Sequence, residues 1–190
     1  YPVPDRMLVH NEQVVHEYLQ WAMCGSPRPK GKFKLYAVEG GTAAMCYIFK
    51  SMKTNRLLNA GDTIALGTPI FTPYLEMPHL EDYDLKIVNI QATQENRWQF
   101  DDAELDKLLD PKIKAFFLVN PGNPSAVALS AKTIAKIGAI IKKRPDLILL
   151  TDDVYGTFVP GFRSLMGAFP YNTIGVYSYS KYFGCTGWRL

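Results

Sequence analysis

The sequence predicts an α/β fold, a three-layer sandwich built on a mostly parallel central sheet with crossover helices. Two observations carry that prediction: short β-rich segments alternate along the chain with helical stretches, and those segments are apolar at consecutive positions, as strands covered on both faces require. A third concerns the loops. Four of the predicted strands run directly into segments rich in Gly, Pro, Asn, Asp or Ser. In a parallel sheet such loops gather at one edge, where ligands of open α/β sheets bind.

Residues 9–23 place Val14, Val15, Tyr18, Leu19 and Ala22 at helical spacing, and Gly25-Ser26-Pro27-Arg28-Pro29 ends that helix. After a short apolar run at 33–38, Glu39-Gly40-Gly41-Thr42 opens a second helix. There Ala43, Ala44, Met45, Tyr47, Ile48, Phe49 and Met52 are apolar nearly all round, so burial on every side is expected. Two glycines and a threonine at a helix start permit close backbone approach, and the free N–H groups attract a phosphate, although Gly and Thr are also ordinary cap residues. Residues 63–66 read as a strand that runs into Gly67-Thr68-Pro69-Ile70-Phe71-Thr72-Pro73-Tyr74. The rings framed by those prolines can stack on a flat ligand or fill the core. Residues 85–90 form the next strand, and Asp101 with Glu104 has the spacing of a capping box for a helix through 109.

Residues 115–119 are a continuous apolar strand followed by Asn120-Pro121-Gly122-Asn123-Pro124-Ser125. That tight loop leaves the Asn123 amide to bond a ligand or its own backbone. Ser130 caps a helix to 143 with Ile134, Ile137, Ile140 and Ile141 on its inner face. The strand at 147–151 ends in Asp152-Asp153-Val154-Tyr155, and adjacent carboxylates after a buried strand are costly unless paired or used. A last buried strand, 173–177, leads into Ser178-Tyr179-Ser180-Lys181, with Gly184, Gly187 and Arg189 beyond. A desolvated lysine at a strand end can attack a carbonyl, while hydroxyls and a guanidinium hold an anion. A solvated lysine in a turn is the ordinary alternative.

With 190 residues, 47% of them hydrophobic, the chain can bury one substantial core. The formal charge of +3 is small and its basic residues are dispersed, which argues against a nucleic-acid surface. No apolar run has the length of a membrane span, and the N-terminus lacks a signal-peptide layout. The start at Tyr1-Pro2 suggests a piece of something longer. Cys24, Cys46 and Cys185 are far apart and outside metal-ligand spacing, which fits a reducing, cytoplasmic setting. His10, His16 and His79 form no metal cluster, and no metal is expected.

One ligand satisfies all four loops. An aldehyde for Lys181, a phosphate for Gly41, Thr42, Ser178 and Arg189, a flat ring for Phe71, a ring nitrogen for Asp152 and a phenolic oxygen for Tyr155 and Asn123 describe pyridoxal 5'-phosphate. A carboxylate beside that nitrogen keeps it protonated, and a protonated ring is the better electron sink.

Asn-Pro-x-Asn-Pro-Ser at 120–125, Asp-x-x-Tyr at 152–155 and Ser-x-Ser-Lys with an arginine eight residues after Lys181 resemble the large domain of fold-type I pyridoxal-phosphate enzymes, the aspartate aminotransferase family. The resemblance implies that Lys181 is the Schiff-base lysine and Asp152 the ring-nitrogen partner. It implies that Tyr155 and Asn123 meet the phenolic oxygen, with Asn123 also near substrate, that Phe71 stacks on the ring, and that Gly41, Thr42, Ser178 and Arg189 hold the phosphate. The catalytic set is then Lys181, Tyr155 and Asp152. Residues 39–49, 67–74 and 1–8 are further similar to the aspartate 4-decarboxylase branch of that family, which also acts as an aspartate aminotransferase. Ala126 and Asp153 depart from the general pattern, where Gly and Glu are usual.

The resemblance implies conversion of L-aspartate to L-alanine and CO2, with aminotransferase side activity. The alternatives are an aminotransferase of other amino-acid specificity and a non-catalytic binding or assembly module. Residues 1–190 are expected to form an incomplete cofactor-binding large domain. The N-terminal segment, the small C-terminal domain and the arginine that grips the substrate α-carboxylate are expected beyond them. The whole protein is expected to be a homo-oligomer built from dimers, with no nucleic-acid or membrane partner, and the isolated piece to bind cofactor poorly.

Overall fold

The computed structural model describes residues 17–19 and 34–190. Of the helix expected at 9–23, residues 17–19 are helical and the rest lies outside the described residues, as do His10, His16 and Cys24. Strands β1 (Thr63–Thr68), β2 (Lys86–Gln91), β3 (Ile113–Val119), β4 (Ile148–Asp152) and β5 (Thr173–Val176) form one sheet in the order β2-β1-β3-β4-β5. Each neighbouring pair runs parallel. The connections carry helices α1 (Gly41–Thr54), ahead of β1, and then α2 (Pro73–Glu76), α3 (Asp102–Asp106), α4 (Ala131–Lys143) and α5 (Leu165–Ala168).

The consecutive apolar positions have the reason the sequence suggests. Ala115, Phe117 and Val119 of β3 point into one cluster with Met45, Phe49 and Met52 of α1. Phe116 and Leu118 point into another, with Ile137, Ile140 and Ile141 of α4. Successive side chains leave a strand on opposite faces, so helices on both sides demand apolar residues in an unbroken run. Three layers result, as expected.

Three local expectations need correction. α1 is not buried all round: Met45, Phe49 and Met52 are, but Cys46 and Tyr47 are exposed. One face of α1 packs on the sheet, while Ala44, Tyr47, Ile48 and Ser51 line an apolar cavity of about 720 Å³. The capping box at Asp101 does not form. Asp101 caps no amide with its side chain, and Glu104 accepts instead from the Gln91 amide at 2.7 Å and pairs with Lys107 at 2.7 Å. Finally, β5 is half-exposed, with only Val176 buried, because among the described residues it pairs with β4 alone and its free side faces the same cavity.

Ser130 does cap α4, accepting from the Thr133 amide at 3.1 Å. The other end of α4 is closed by Arg144, which the sequence reading passed over. Its guanidinium is nearly buried and donates to the carbonyls of Leu108 at 3.0 Å, Asp110 at 2.5 Å and Ile113 at 2.9 Å, while pairing with Asp146 at 2.7 Å. One charged fork thus ties the end of α4 to the start of β3. Charge-assisted bonds of this kind contribute about 1.5–3 kcal/mol apiece, and an orphaned buried carbonyl costs about 1–3 kcal/mol. Arg144→Met is therefore expected to lower the unfolding free energy by roughly 3 kcal/mol or more in a denaturant titration. A loss below about 1 kcal/mol would show that the fork is dispensable.

Candidate active site

The strand order locates a crevice. The chain passes from β1 outward to β2, then returns to the other side of β1 to make β3, so the direction of winding reverses between β1 and β3. Loops leaving adjacent strands at such a reversal diverge to opposite faces and open a gap at the carboxyl edge. Phe71 follows β1, Asn123 follows β3, Asp152 ends β4, and Ser178, Lys181 and Arg189 follow β5. Every strand points the same way, so these residues share one edge of the sheet. Gly41 and Thr42 begin α1, whose start reaches the same place: a Cβ added at Gly41 would lie 3.8 Å from the Ser178 Cβ.

The helix start and Arg189 make a cradle for an anion. Arg189 donates to the Glu39 carbonyl at 3.1 Å and to the Thr186 carbonyl at 2.8 Å. Gly40 has φ 93°, and a Cβ there would meet the Arg189 Nη2 at 2.5 Å. The positive φ favours glycine, and the missing side chain leaves room for the guanidinium against the amino end of α1. A positive fork beside free helix N–H groups suits a phosphate. Gly40, one of the two glycines noted at the helix start, was not among the residues assigned to the phosphate. Ser178 is 3% exposed, and its hydroxyl is engaged within the chain: it donates to the Leu190 carbonyl at 2.9 Å and shares a hydrogen bond with the Ser180 hydroxyl at 3.0 Å.

The loop after β3 is pinned by Asn120, whose Oδ1 accepts from the Leu129 amide at 2.9 Å. A Cβ at Gly122 would lie 2.1 Å from the Ser125 Oγ, so any larger residue there would make that hydroxyl rotate away. Ala126 sits at φ 57°, a left-handed conformation that glycine adopts more readily. The glycine usual at that position in the resembling family therefore has a backbone reason. The side chains of Asn123, Tyr155 and Lys181 have no hydrogen-bond partner among the described residues. Asn123 and Tyr155 are half-buried and Lys181 is exposed. No hydrogen bond or ion pair joins Lys181 to Asp152 or Tyr155. Its neighbour Tyr182 packs edge-on to Phe158 at 5.1 Å, and Phe158 lies 6.3 Å from Tyr155, so aromatic contacts join the two loops.

Of the two rings that the sequence left open between ligand and core, Tyr74 goes to the core. Phe71 is 37% exposed at the edge, whereas Tyr74 is 1% exposed and belongs to the core. The Tyr74 hydroxyl donates to Asp152 Oδ2 at 3.0 Å, a contact that sequence reasoning missed. The Val154 amide donates to Asp152 Oδ1 at 3.2 Å. Burial pushes the Asp152 carboxyl above its ordinary range, and these two donors, which favour the anion, pull it back. The large apolar cavity beside β5 includes none of the candidate residues, and its lining offers few polar groups for chemistry. Among the described residues no cluster of His, Cys, Asp or Glu could hold a metal, and no helix is long and apolar enough to cross a membrane.

Asp153, next to Asp152, turns away from it. Thr151 Oγ1 donates to its Oδ1 and Ser164 Oγ to its Oδ2, both at 2.5 Å. Complete burial raises its carboxyl from 3.8 to about 7, against the pull of those hydroxyls and with a further push from the Asp152 charge. The folded chain therefore holds a proton that the unfolded chain releases near pH 4. The stability contributed by neutral Asp153 is complete below that pH and is lost as pH rises through about 7. Unfolding free energy is expected to fall between pH 4.5 and 7.5, and Asp153→Asn to remove most of that slope. Equal slopes in parent and variant would contradict the assignment.

Comparison with known proteins agrees with the fold. The model of the family described as aminotransferase class I and II matches residues 37–190. A bifunctional aspartate aminotransferase and L-aspartate beta-decarboxylase from a Pseudomonas species is 55% identical over 191 aligned residues, which span 100% of this chain and 36% of that protein. Among solved structures, a tetra mutant of Thermus thermophilus aspartate aminotransferase superposes with TM-score 0.74 at 20% identity, over 90% of this chain and 45% of that one. Cystalysin from Treponema denticola, whose crystal contains pyridoxal 5'-phosphate, superposes with TM-score 0.72 at 19% identity, over 93% and 44%. At such identities the two structures speak for the fold. The chain spans about a third of the length of the curated relatives it matches, 36%, 34% and 38% for three of them. The family model extends over most of the chain and over every strand of the sheet, and the chain belongs to the class I and II aminotransferases.

Proposed function

We propose that the protein carrying this chain is a pyridoxal-phosphate enzyme that acts on L-aspartate, releasing its side-chain carboxylate as CO2 to give L-alanine, with aspartate aminotransferase activity alongside. The observation that carries the proposal is the gathering of four loops and one helix start at a single sheet edge, with the Arg189 guanidinium against Gly40. The 55% identity to the bifunctional Pseudomonas protein supports aspartate as substrate. When bound, the cofactor supplies an aldehyde for amines and an electron sink for the substrate's bonding electrons.

The chain's residues divide the remaining work. The amino end of α1 at Gly41 and Thr42, with Ser178 and Arg189, holds the phosphate, and Phe71 covers a face of the ring. Asp152 holds the proton at the ring nitrogen, because a nearby negative charge favours the protonated form. Tyr155 and Asn123 hydrogen-bond the phenolic oxygen, and Asn123 also borders the substrate. Lys181 anchors the cofactor through its amine and, once displaced by substrate, carries the proton taken from the substrate α-carbon. In this reading residues 1–190 are part of a cofactor-binding large domain in a homo-oligomer built from dimers. The free thiols of Cys46 and Cys185 fit a cytoplasmic setting.

The full-length protein supplied with pyridoxal phosphate and L-aspartate is expected to form alanine and CO2 in equal amounts. Lys181→Ala is expected to slow this by at least about 10²-fold, the lower end of what a positioned acid–base group contributes. Aspartate consumption without alanine would reject decarboxylation, and amino transfer dependent on a keto acid without CO2 would replace it by an aminotransferase of other specificity.

A further inference from the structure

We propose that Tyr74 is a positioning residue that organises two cofactor contacts at once, its ring bracing Phe71 edge-on and its hydroxyl holding the Asp152 carboxylate, an inference that rests on the pyridoxal-phosphate reading above. The two contacts it joins come from distant parts of the chain. Phe71 lies in the loop after β1 and Asp152 at the end of β4, and Tyr74 and Asp152 are 78 residues apart in sequence. Tyr74 reaches both because α2 begins at Pro73, immediately beyond that loop, and turns the ring inward.

The hydroxyl has one hydrogen-bond partner. Tyr74 is 1% exposed and packed among Phe49, Leu66, Ile70 and Phe117. A phenol there with nothing to bond would be costly, so a core phenylalanine is the simpler choice unless the oxygen has a task. Its task is Asp152 Oδ2, at 3.0 Å. With the Val154 amide on Oδ1, each carboxylate oxygen has one donor and keeps lone-pair capacity for another, and the carboxylate plane is fixed between them. Burial and the charges of Asp152 and Asp153 hold the Tyr74 phenol well above 10, so it remains a donor throughout the working range. Hydrogen bonding from Tyr74 in turn favours the Asp152 anion, the form that holds a proton on a ring nitrogen.

The ring has its own neighbour. Phe71 is partly exposed, and Tyr74 meets it at 6.4 Å with an interplanar angle of 67°, the edge-to-face geometry that aromatic pairs prefer. It is the one aromatic contact of Phe71 among the described residues. Movement of α2 would therefore disturb the stacking ring and the nitrogen partner together, as one unit.

Two variants of the full-length protein separate these roles. Tyr74→Phe keeps the ring and removes the donor, while Tyr74→Leu removes both. In cofactor-free protein the Asp152 carboxyl, followed by infrared difference against Asp152→Asn, is expected to titrate at higher pH in Tyr74→Phe than in the parent. In the loaded protein the pyridoxal-phosphate dissociation constant is expected to rise about tenfold in Tyr74→Phe and further in Tyr74→Leu, with kcat falling more than KM changes. An unshifted Asp152 titration with unchanged cofactor affinity would overturn the proposal, and so would a lowered melting temperature as the sole effect. Failure of the parent to take up pyridoxal phosphate would reject the cofactor reading itself and the role proposed here with it, whereas the cofactor-free titration would still report the bond. Should Tyr74→Phe fail to fold, the Tyr74 ¹³Cζ resonance in labelled protein reads the same contact. Asp152→Asn is expected to move that resonance, and an unmoved one would overturn the proposal.

Discussion

Two carboxylates stand side by side at the end of a strand buried on both faces, and much of the surrounding structure answers that constraint. Burying one ionisable group without partners costs more than most folds can spare, and burying two adjacent ones adds their repulsion. The period of a strand separates them. Asp152 follows the side of the sheet on which Tyr74 sits, and Asp153 follows the side of Thr151 and Ser164. Asp152 then meets one hydroxyl and one amide, from Tyr74 and Val154, and Asp153 two hydroxyls, from Thr151 and Ser164. Burial raises both carboxyls; the Tyr74 and Val154 donors favour the Asp152 anion, while Asp153, wholly enclosed, is raised to about 7 against the pull of its two hydroxyls.

This division links the fold to the chemistry. Parallel pairing sends the loops after β1, β3, β4 and β5 to one edge, and the reversal of strand order between β1 and β3 opens that edge. Arg189, held by backbone carbonyls of Thr186 and Glu39, adds a positive charge beside the amino end of α1. Under the proposed function, an anion, a flat ring and a protonated ring nitrogen would each find an electrostatic or stacking counterpart at that edge. The side chains of Lys181, Asn123 and Tyr155 have no hydrogen-bond partner among the described residues.

Much of the fold was legible in the sequence because it depends on local periodicity. Runs such as Ala115-Phe116-Phe117-Leu118-Val119 demand two covered faces, and Ser130 with the isoleucines after it fixes both the start and the inner face of a helix. The strand-end position of the candidate site residues was legible for a related reason, since Asn, Pro, Asp and Gly in unusual order stand out against apolar strands. Features that depend on pairing across the chain were not. The Tyr74–Asp152 bond spans 78 residues, and a ring framed by prolines reads equally as core or ligand contact. Arg144 looked like a basic residue at a helix end, and only the carbonyls of Leu108, Asp110 and Ile113 reveal its burial. Glu104 had the spacing of a cap but found a nearer amide at Gln91, and the all-round apolar look of α1 hid a face that borders a cavity.

If the four loops serve a single cofactor, its covalent anchor is the sharpest point of contact. Full-length protein loaded with pyridoxal phosphate, reduced with borohydride and digested, should carry a pyridoxyl mass on the peptide that contains Lys181. An adduct on a different lysine, or none at all from protein that has bound the cofactor, would contradict that anchor and with it the shared purpose of the loops.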